Sequence, residues 1–370
     1  MSKINDLIKQ YCHDGVEWKE LGNICKITTG KLNANAMNEN GKYLFFTCDE
    51  KPFKIDTYSF DTEAILISGN GSKVGHINYY KGKFDAYQRT YVLSNFIEEF
   101  SIKFILFYLK HFLQNYIKKY FKNGSVPYIT LPMLKSFQIP LPPLPIQQEI
   151  VNILDKFTEL EAELEAELEG RKKQYEHYRN TLLTFGDDVE WKELGEVCDI
   201  YTGGEPPIDF TKDMDINGNY IYPIYGNGRD IYGYSKTYKV DRDAVCISSI
   251  GANTGTVFYY TKNFTPIIRL KVLIPNNFNL ITKYLYYVAT AINFVSKNSG
   301  GIPNMNASDV KRHKIPVPPL PVQEKIVAIL DKFDKLVNNI KEGLPAEIAL
   351  RRKQYEFYRN KLLDFKEMEK

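Results

Sequence analysis

Two aligned segments are followed by the arginines best suited to bind another molecule. Residues 65–84, ILISGNGSKVGHINYYKGKF, match residues 245–264, VCISSIGANTGTVFYYTKNF, and each is followed five residues later by an arginine, Arg89 or Arg269. A guanidinium is a bidentate ligand for phosphate. An arginine that recurs in two otherwise divergent segments is predicted either to bind phosphate or to have a buried structural role.

The same two segments differ at a glycine-rich stretch. Lys73 in the first stands opposite Asn253 in the second. Lysine suits the acceptors of guanine and asparagine suits adenine, so one hypothesis is that this pair contacts bases. The alternative is a solvated turn, because glycine, asparagine and serine are the usual residues of turns.

Other residue types that perform chemistry are scattered along the chain. The five histidines do not cluster and there is no CxxC pair among the five cysteines, Cys12, Cys25, Cys48, Cys198 and Cys246. We therefore expect neither a disulfide framework nor a zinc site. The chain has no GxxxxGK[ST] phosphate loop, and SGNGSKVG at residues 68–75 lacks GxGxxG spacing, so it is predicted to form a turn between strands.

The length of 370 residues predicts two domains with connecting structure. The hydrophobic fraction of 44% and the charged fraction of 25% are typical of a globular protein. No stretch approaches the ~20 apolar residues that span a bilayer, and the first residues lack the apolar core of a signal peptide. We therefore expect a cytoplasmic protein without membrane association.

Charge is unevenly distributed along the chain. Residues 31–138 contain 14 Lys and Arg against 9 Asp and Glu, and residues 203–314 contain 13 against 8, whereas residues 146–188 contain 5 against 11. Two moderately basic blocks thus alternate with a neutral or acidic remainder. A basic block suits a polyanionic partner such as nucleic acid.

Three segments of the chain occur twice. They are VEWKELG at 16–22 and 189–195, IPLPPLPIQQEIVNILDKF at 139–157 with its counterpart at 315–333, and RKKQYEHYRNTLLTF at 171–185 with its counterpart at 351–365. Of these 41 positions, 32 are identical, whereas the inserts between the segments have diverged. Either the inserts drifted neutrally, or the repeated frames share one role while the inserts have two different roles.

Hydrophobic periodicity predicts an α+β fold class. Each insert alternates β-branched and aromatic runs with turns and then has one helix, predicted at residues 104–120 and 281–295. A proline-rich strap precedes a helix of about 36 residues in each frame. Gly343 and Pro345 predict a break near Leu344 in the second of these helices.

The repeat predicts two α/β domains separated by two long antiparallel helices, a coiled-coil spacer, about a pseudo-two-fold axis. The predicted limits are 1–145 and 187–321 for the domains and 146–186 and 322–370 for the helices. The chain would then be nearly circular. The end of the central helix leads into the second domain, and residues 6–22 are predicted to supply the equivalent helix end for the first domain.

This arrangement has a functional consequence. Helices of 30 to 36 residues would hold the domain centres on the order of 45 to 55 Å apart, which exceeds the ~34 Å of one turn of duplex DNA. Two basic domains with different side chains at a fixed separation predict a protein that binds a bipartite, asymmetric DNA sequence with an uncontacted gap.

The duplicated frame resembles the specificity (S) subunit of type I restriction-modification systems. The similarity rests on VEWKELG, PLPPLPIQQEIVNILDKF and RKKQYEHYRNTLLTF around two divergent inserts, and it covers essentially the whole chain. It implies that each insert is a target recognition domain for one half of a bipartite site in double-stranded DNA. It also implies that the helices dock two methyltransferase (modification) subunits, which restriction subunits can join.

The resemblance further implies that this chain is not an enzyme. Catalysis, S-adenosylmethionine, ATP and Mg would belong to the partner subunits, and the chain itself lacks an Asn/Asp-Pro-Pro-aromatic methylation motif. The alternative hypothesis is a scaffold without DNA binding, in which the inserts bind only proteins and the helices form an assembly platform.

Polar and basic residues of the inserts are the predicted DNA contacts. They are Lys31, Asn70, Ser72, Lys73, Arg89, Asn123, Ser125 and Lys135 in the first insert and Asn227, Arg229, Asn253, Thr254, Arg269, Asn298, Lys311 and Arg312 in the second. The predicted helix-packing and partner-docking residues are Ile150, Leu154, Phe157, Leu164, Tyr175, Tyr178, Ile326, Leu330, Phe333, Tyr355 and Tyr358. No residue is predicted to be catalytic or to bind a metal.

Overall fold

The computed structural model describes residues 2–120, 128–277, 279–292, 294, 305–339 and 341–368. The chain divides into two compact units, the first formed by Met1–Glu163 and Ala349–Lys370 and the second by Leu164–Ile348. Each unit therefore contains one divergent insert and segments from both copies of the repeated frame.

The first unit is a mixed sheet with helices. Its elements are α1 (Ser2–Tyr11), β1 (Glu17–Glu20), α2 (Leu21–Ile24), β2 (Lys26–Thr29), β3 (Tyr43–Phe46), β4 (Phe53–Ile55), β5 (Phe60–Ser68), β6 (Ile77–Ala86), β7 (Thr90–Ser94), α3 (Ile102–Lys118), α4 (Leu131–Lys135), β8 (Gln138–Leu141) and the start of α5 (Leu144–Leu182). The six-stranded sheet has the order β2-β7-β5-β6-β3-β4, and β1 pairs separately with β8.

Strand β5 is buried on both faces. Successive side chains of a strand point to opposite faces. Ile65 and Ile67 belong to the core cluster that includes α3, whereas Ala64 and Leu66 belong to a second cluster with Phe84. The uninterrupted apolar run AILI at residues 64–67 thus reflects two covered faces.

The second unit repeats this plan. Its elements are the rest of α5, β9 (Trp191–Glu193), α6 (Leu194–Val197), β10 (Cys198–Thr202), β11 (Tyr222–Tyr225), β12 (Ile231–Ser235), β13 (Ala244–Ile247), β14 (Val257–Tyr260), β15 (Thr265–Pro266), β16 (Lys271–Pro275), α7 (Thr282–Ala291), α8 (Ala307–Lys311), β17 (Lys314–Pro316), α9 (Leu320–Asn338) and the start of α10 (Leu344–Leu362). The sheets have the orders β10-β16-β13-β14, β12-β11-β15 and β17-β9.

The order β10-β16-β13-β14 corresponds to β2-β7-β5-β6 of the first unit. In the first unit β6 continues for ten residues, and its end pairs in parallel with β3. In the second unit the equivalent stretch is divided into β14 and β15, and Asn263 between them has a φ of +69°. The predicted α+β class, insert strands and insert helices are confirmed. Helix α3 begins two residues before the predicted start, and α7 ends at Ala291, whereas residues 293 and 295 of the predicted range lie outside the described residues.

The two ends of the chain meet in the first unit. The amide of Val16 donates to the carbonyl of Lys366 at 2.9 Å, and the amide of Met368 donates to the carbonyl of Val16 at 3.0 Å. Leu362 and Leu363, at the end of α10, belong to the core of the first unit. In the same way, Leu182 and Leu183, at the end of α5, pack against the core of the second unit. The expectation that residues 6–22 supply the helix end was therefore wrong in part, because the end of α10 fills this position and α1 packs beside it.

The long helices follow the predicted pattern. Helix α5 has 39 residues, and the predicted break in its counterpart is confirmed, since α9 ends at Asn338 and α10 begins at Leu344. Proline fits the first turn of a helix because the amides there have no intrahelical acceptor, so Pro345 restarts the helix. The predicted coiled-coil spacer stays a prediction.

A buried glutamine joins each long helix to its own unit. The Gln147 side chain is fully buried, accepts the amide of Ser101 at 2.8 Å, and donates to the carbonyls of Glu99 and Pro142 at 2.9 and 2.8 Å. Gln323 repeats all three bonds in the second unit with Ile281 and with the carbonyls of Asn279 and Pro318. Each glutamine thus satisfies backbone groups before the insert helix and in the strap.

Candidate nucleic-acid interface

Three loops converge at one edge of the first unit, which we call the three-loop edge. They are the loop after β3 at residues 47–50, the glycine turn at residues 69–75 and the arginine turn at residues 87–90. The amide of Gly69 donates to the carbonyl of Arg89 at 2.8 Å, and the Cys48 thiol donates to the Asn70 side chain at 3.1 Å. These bonds fix the loops to one another.

The second unit has the same edge, formed by residues 226–229, 249–255 and 267–270. Here the Ser249 hydroxyl donates to the carbonyl of Arg269 at 2.6 Å. The two glycine turns have matching backbones, with φ of +84° and +77° at Gly71 and Gly75 and of +82° and +88° at Gly251 and Gly255. The prediction of a turn between strands is confirmed, and these left-handed positions are the reason for the glycines.

Arg89 and Arg269 are both exposed at the three-loop edge. Within the described residues, neither guanidinium has a hydrogen bond or an ion pair with another side chain. The structure therefore removes the alternative of a buried structural role. Two free cations at equivalent edges suit an anionic ligand such as phosphate.

In each unit the glycine that follows β2 or β10 lies very close to the backbone at the start of the arginine turn. A Cβ on Gly30 would lie 1.7 Å from the carbonyl oxygen of Ala86, and one on Gly203 would lie 2.8 Å from the carbonyl carbon of Pro266. Only glycine permits this approach, which places the residue after β2 or β10 directly beside the turn.

Lys271 adds a buried positive charge under the second arginine turn. The residue is 6% exposed, and its ammonium donates to the Thr202 hydroxyl at 3.0 Å. Burial, followed by the nearby charge of Arg269, lowers the pKa of Lys271. The first unit has Tyr91 at the equivalent register, opposite Thr29, and its hydroxyl donates to the carbonyl of Ile129.

Each edge borders a cleft. In the first unit a cleft of about 120 Å³ lies between Asn70, Arg89 and the exposed Tyr128. In the second, a cleft of about 360 Å³ is bordered by Asn227 and Ile268.

The structure brings nine predicted DNA contacts to these edges. They are Asn70, Ser72, Lys73 and Arg89 in the first unit and Asn227, Arg229, Asn253, Thr254 and Arg269 in the second. Lys31 follows Gly30, whose backbone approaches the first arginine turn. Lys135, Lys311 and Arg312 lie instead at the ends of α4 and α8, where Lys135 and Lys311 face Gly22 and Gly195. Asn123, Ser125 and Asn298 lie outside the described residues.

One family of known proteins matches both repeats of the chain. The family model of the type I restriction modification DNA specificity domain matches residues 13–170 and 186–350. The chain belongs to this specificity family. It is 34% identical to a putative type I specificity subunit of Mycoplasma pneumoniae over 86% of this chain and 98% of that protein.

A second relative and a solved structure are also similar to this chain. The EcoR124I/EcoR124II specificity subunit of Escherichia coli is 38% identical over 62% of this chain and 63% of its own length. The S subunit crystal structure from M. genitalium has a TM-score of 0.65 at 20% identity, covering 94% of this chain and 96% of that chain, which shows a shared fold.

Some predicted contacts of this specificity-family chain are occupied within the chain itself. The Asn227 amide donates to the carbonyl of Ile268 and accepts the amide of Ser249 at 2.9 Å and the hydroxyl of Ser248 at 3.1 Å. The Asn227 side chain thus helps to hold the edge, and its predicted DNA contact stays a prediction. Lys73 forms an ion pair with Glu50, whose pKa is lowered by the hydrogen bond and charge of Lys73.

The predicted docking residues of the specificity-family helices divide into two groups. Five are buried in the chain's own cores and so are not accessible to a partner: Ile150, Leu154, Leu164, Ile326 and Leu330. The aromatic residues form ring contacts inside each unit. Phe157 lies 5.5 Å from Tyr358 in the first, and Tyr178 lies 5.2 Å from Phe333 in the second; Tyr355 and Tyr175 flank these contacts at 6.3 and 6.4 Å.

Three residues of the edges were not predicted from the sequence. Gln88 and Ile268 occupy the turn position before each arginine, and Tyr128 borders the first cleft. The alignment that identified Arg89 and Arg269 also pairs Gln88 with Ile268, so that difference was the available signal. In the part of the chain that the structure describes, no helix is long and apolar enough to cross a membrane, and no group of acidic, His and Cys side chains could hold a metal.

Proposed function

We propose that this chain is the DNA-specificity subunit of a type I restriction-modification complex. The observation that carries the proposal is the duplicated three-loop edge, with an exposed arginine in the same place in each copy and different residues around it. Shared residues suit phosphate, which is the same in every DNA sequence, and differing residues suit bases. The names of the relatives support the same function.

We further propose that each unit binds one half of a bipartite, asymmetric site in double-stranded DNA. The long helices set the uncontacted gap between the two halves. This mechanism is supported by the continuity of α5, which passes from one unit to the other between Glu163 and Leu164. A continuous helix transmits a length change along its axis at ~1.5 Å per residue.

Catalysis in this mechanism belongs to other chains. Two methyltransferase subunits dock on the helices and restriction subunits can join them, so S-adenosylmethionine, ATP and Mg are bound by these partners in the cytoplasm. The accessible helix surface available for docking includes Tyr178 and Phe357, which are 45% and 61% exposed. A second solved chain of similar fold, with a TM-score of 0.55, comes from a type I R-M system that assembles into a complex, which supports such an assembly.

Replacing Arg89 or Arg269 with alanine is expected to weaken DNA binding about equally for all sequences. The loss of one phosphate contact should make the negative slope of log K against log salt shallower by about 0.9. Binding titrations of the assembled complex at several salt concentrations measure this slope. Arg242→Ala is the control, because Arg242 is exposed but lies at the opposite end of β13 from the glycine turn. An unchanged slope in both edge variants would contradict the phosphate role.

Lengthening the helices is expected to widen the recognised gap. The sequence AELE occurs twice in succession at residues 162–169, and inserting LEAE after Glu163 creates a third copy. Together with four residues inserted after Ile348, this adds about one helical turn to each arm. The gap should grow by about two base pairs, since four residues span ~6 Å. Sequencing of DNA retained or methylated by the complex measures it.

The length-neutral control for this experiment is Gly170→Ala, because a Cβ at Gly170 meets no atom within 4 Å. Changed half-sites with an unchanged gap would overturn the spacing mechanism. Failure of the wild-type complex to enrich any two-part sequence would overturn the DNA-specificity function and favour the protein-binding scaffold.

A further inference from the structure

The arginine turn has one shared and one divergent central residue. Arg89 and Arg269 occupy the second central position, whereas the first is Gln88 in one unit and Ile268 in the other. Both first-position side chains are exposed, and Ile268 is 44% exposed. The residue next to the shared arginine is therefore accessible and chemically different in the two units.

The turn in the second unit has a strained backbone. Ile268 and Arg269 have φ of +52° and +59°, and the amide of Leu270 donates to the carbonyl of Ile267 at 3.2 Å, which defines a type I′ turn. Such turns favour glycine and asparagine, and a β-branched residue is an outlier there. Strain of this kind persists only where surrounding contacts impose it.

Hydrogen bonds to the rest of the edge impose this conformation. The amides of Ile268 and Arg269 donate to the carbonyls of Gly204 and Gly203 at 2.8 and 3.1 Å. Their carbonyls accept from Asn227 and Ser249. Every backbone polar group of the two central residues is thus bonded, which holds an exposed isoleucine at a fixed position.

In the first unit the same position presents an oriented amide. Gln88 and Arg89 lack a positive φ, and the amide of Gln88 donates to the carbonyl of Leu32 at 2.9 Å. The Gln88 side-chain nitrogen donates to the Asn33 side-chain oxygen at 2.9 Å. One amide proton and the amide oxygen remain, which is the donor and acceptor pair that matches N7 and N6 of adenine.

We propose that Gln88 and Ile268 determine one base each in the two half-sites: Gln88 contacts an adenine and Ile268 contacts the 5-methyl group of a thymine. The inference rests on the proposed DNA-specificity function. The neighbouring arginine binds phosphate and positions both turns, so the difference between the half-sites at this point comes from the residue beside it.

The test for Ile268 replaces each thymine of the second half-site singly with deoxyuridine, which lacks only the methyl group. The wild-type complex should lose about fourfold in affinity at one thymine, the effect of one buried methyl group. Ile268→Ala should abolish this difference. Ile221→Ala is the matched control, because Ile221 is 40% exposed and precedes β11, whereas the edge loop follows it.

The test for Gln88 compares Gln88→Leu with Gln138→Leu, an exposed glutamine on β8. Gln88→Leu should reduce the preference for adenine at one position of the first half-site by about 5- to 150-fold, the range for a bidentate contact, and leave the second half-site unchanged. The competition assay uses duplexes with each base at each position.

The outcomes separate this inference from the function on which it rests. Unchanged base preference in Gln88→Leu, or a thymine effect that is absent in the wild type or persists in Ile268→Ala, would overturn the inference while the two-part sequence remains. Loss of any two-part sequence in the wild type would overturn the function itself. Because Ile268→Ala removes a β-branched side chain from a left-handed position, the variant is expected to fold.

Discussion

Gly30→Ala is expected to destabilise the first unit by about 3 kcal/mol or more, because an added methyl group cannot be accommodated against backbone. The new Cβ would lie 1.7 Å from the carbonyl oxygen and 2.2 Å from the carbonyl carbon of Ala86. No side-chain rotation relieves this overlap, so β2 and the arginine turn must separate. Urea unfolding, fitted with a transition for each unit, measures the loss of stability.

The matched control for this substitution is Gly170→Ala. Its Cβ meets no atom within 4 Å, and alanine in a helix interior is more stable than glycine by roughly 0.5 to 1 kcal/mol. The two substitutions are chemically identical and should have opposite signs. Equal stability of Gly30→Ala and the wild type would mean that the close approach at the first edge is absent. DNA binding should show loss of the first half-site with retention of the second.

Gln147→Ala is expected to destabilise the first unit by about 3 kcal/mol, since each buried orphaned polar group costs about 1 to 3 kcal/mol. The substitution leaves the amide of Ser101 and the carbonyls of Glu99 and Pro142 without the partner that now satisfies them. Ser101 is the N-cap residue of α3, so the insert helix and the long helix lose a common anchor.

The adjacent Gln148→Ala is the control for Gln147→Ala. Gln148 is exposed, and its one hydrogen bond to another described side chain is to Asn152 in the same helix, so its loss should change stability by less than about 0.5 kcal/mol. Gln323→Ala should repeat the large effect in the second unit, because Gln323 makes the same three bonds. The measurement is again urea unfolding. Similar unfolding midpoints for Gln147→Ala and Gln148→Ala would show that the buried hydrogen bonds of Gln147 contribute little to stability.

Local pattern was sufficient to predict much of this fold. Short β-branched and aromatic runs between turns identified β5, β6 and β7, and helical periodicity identified α3 and α5. The break before α10 followed from Gly343 and Pro345, because proline cannot continue a helix that precedes it. Strands that depend on distant partners, such as β1 against β8, were not predicted, since their pairing joins residues about 120 positions apart.

The candidate site was likewise predicted from the sequence only in part. The self-alignment identified Arg89 and Arg269, but only the structure decided between exposure and burial. Asn227 was predicted as a DNA contact from its residue type, and only the structure shows that its amide bonds to Ile268, which is 41 positions away. Only the structure shows that the end of α10, together with α1, packs on the first core.

The sequence by itself determined the duplication, the α+β class, the glycine turns and the paired arginines, because these depend on residue identity and short-range periodicity. Only the tertiary structure decided which polar groups are free and which are occupied. Bonds such as Cys48 to Asn70 and Ser249 to Arg269 join separate loops, and no local pattern reports them. The residues left exposed after these bonds form, Gln88 and Ile268 among them, are the ones available to contact a partner.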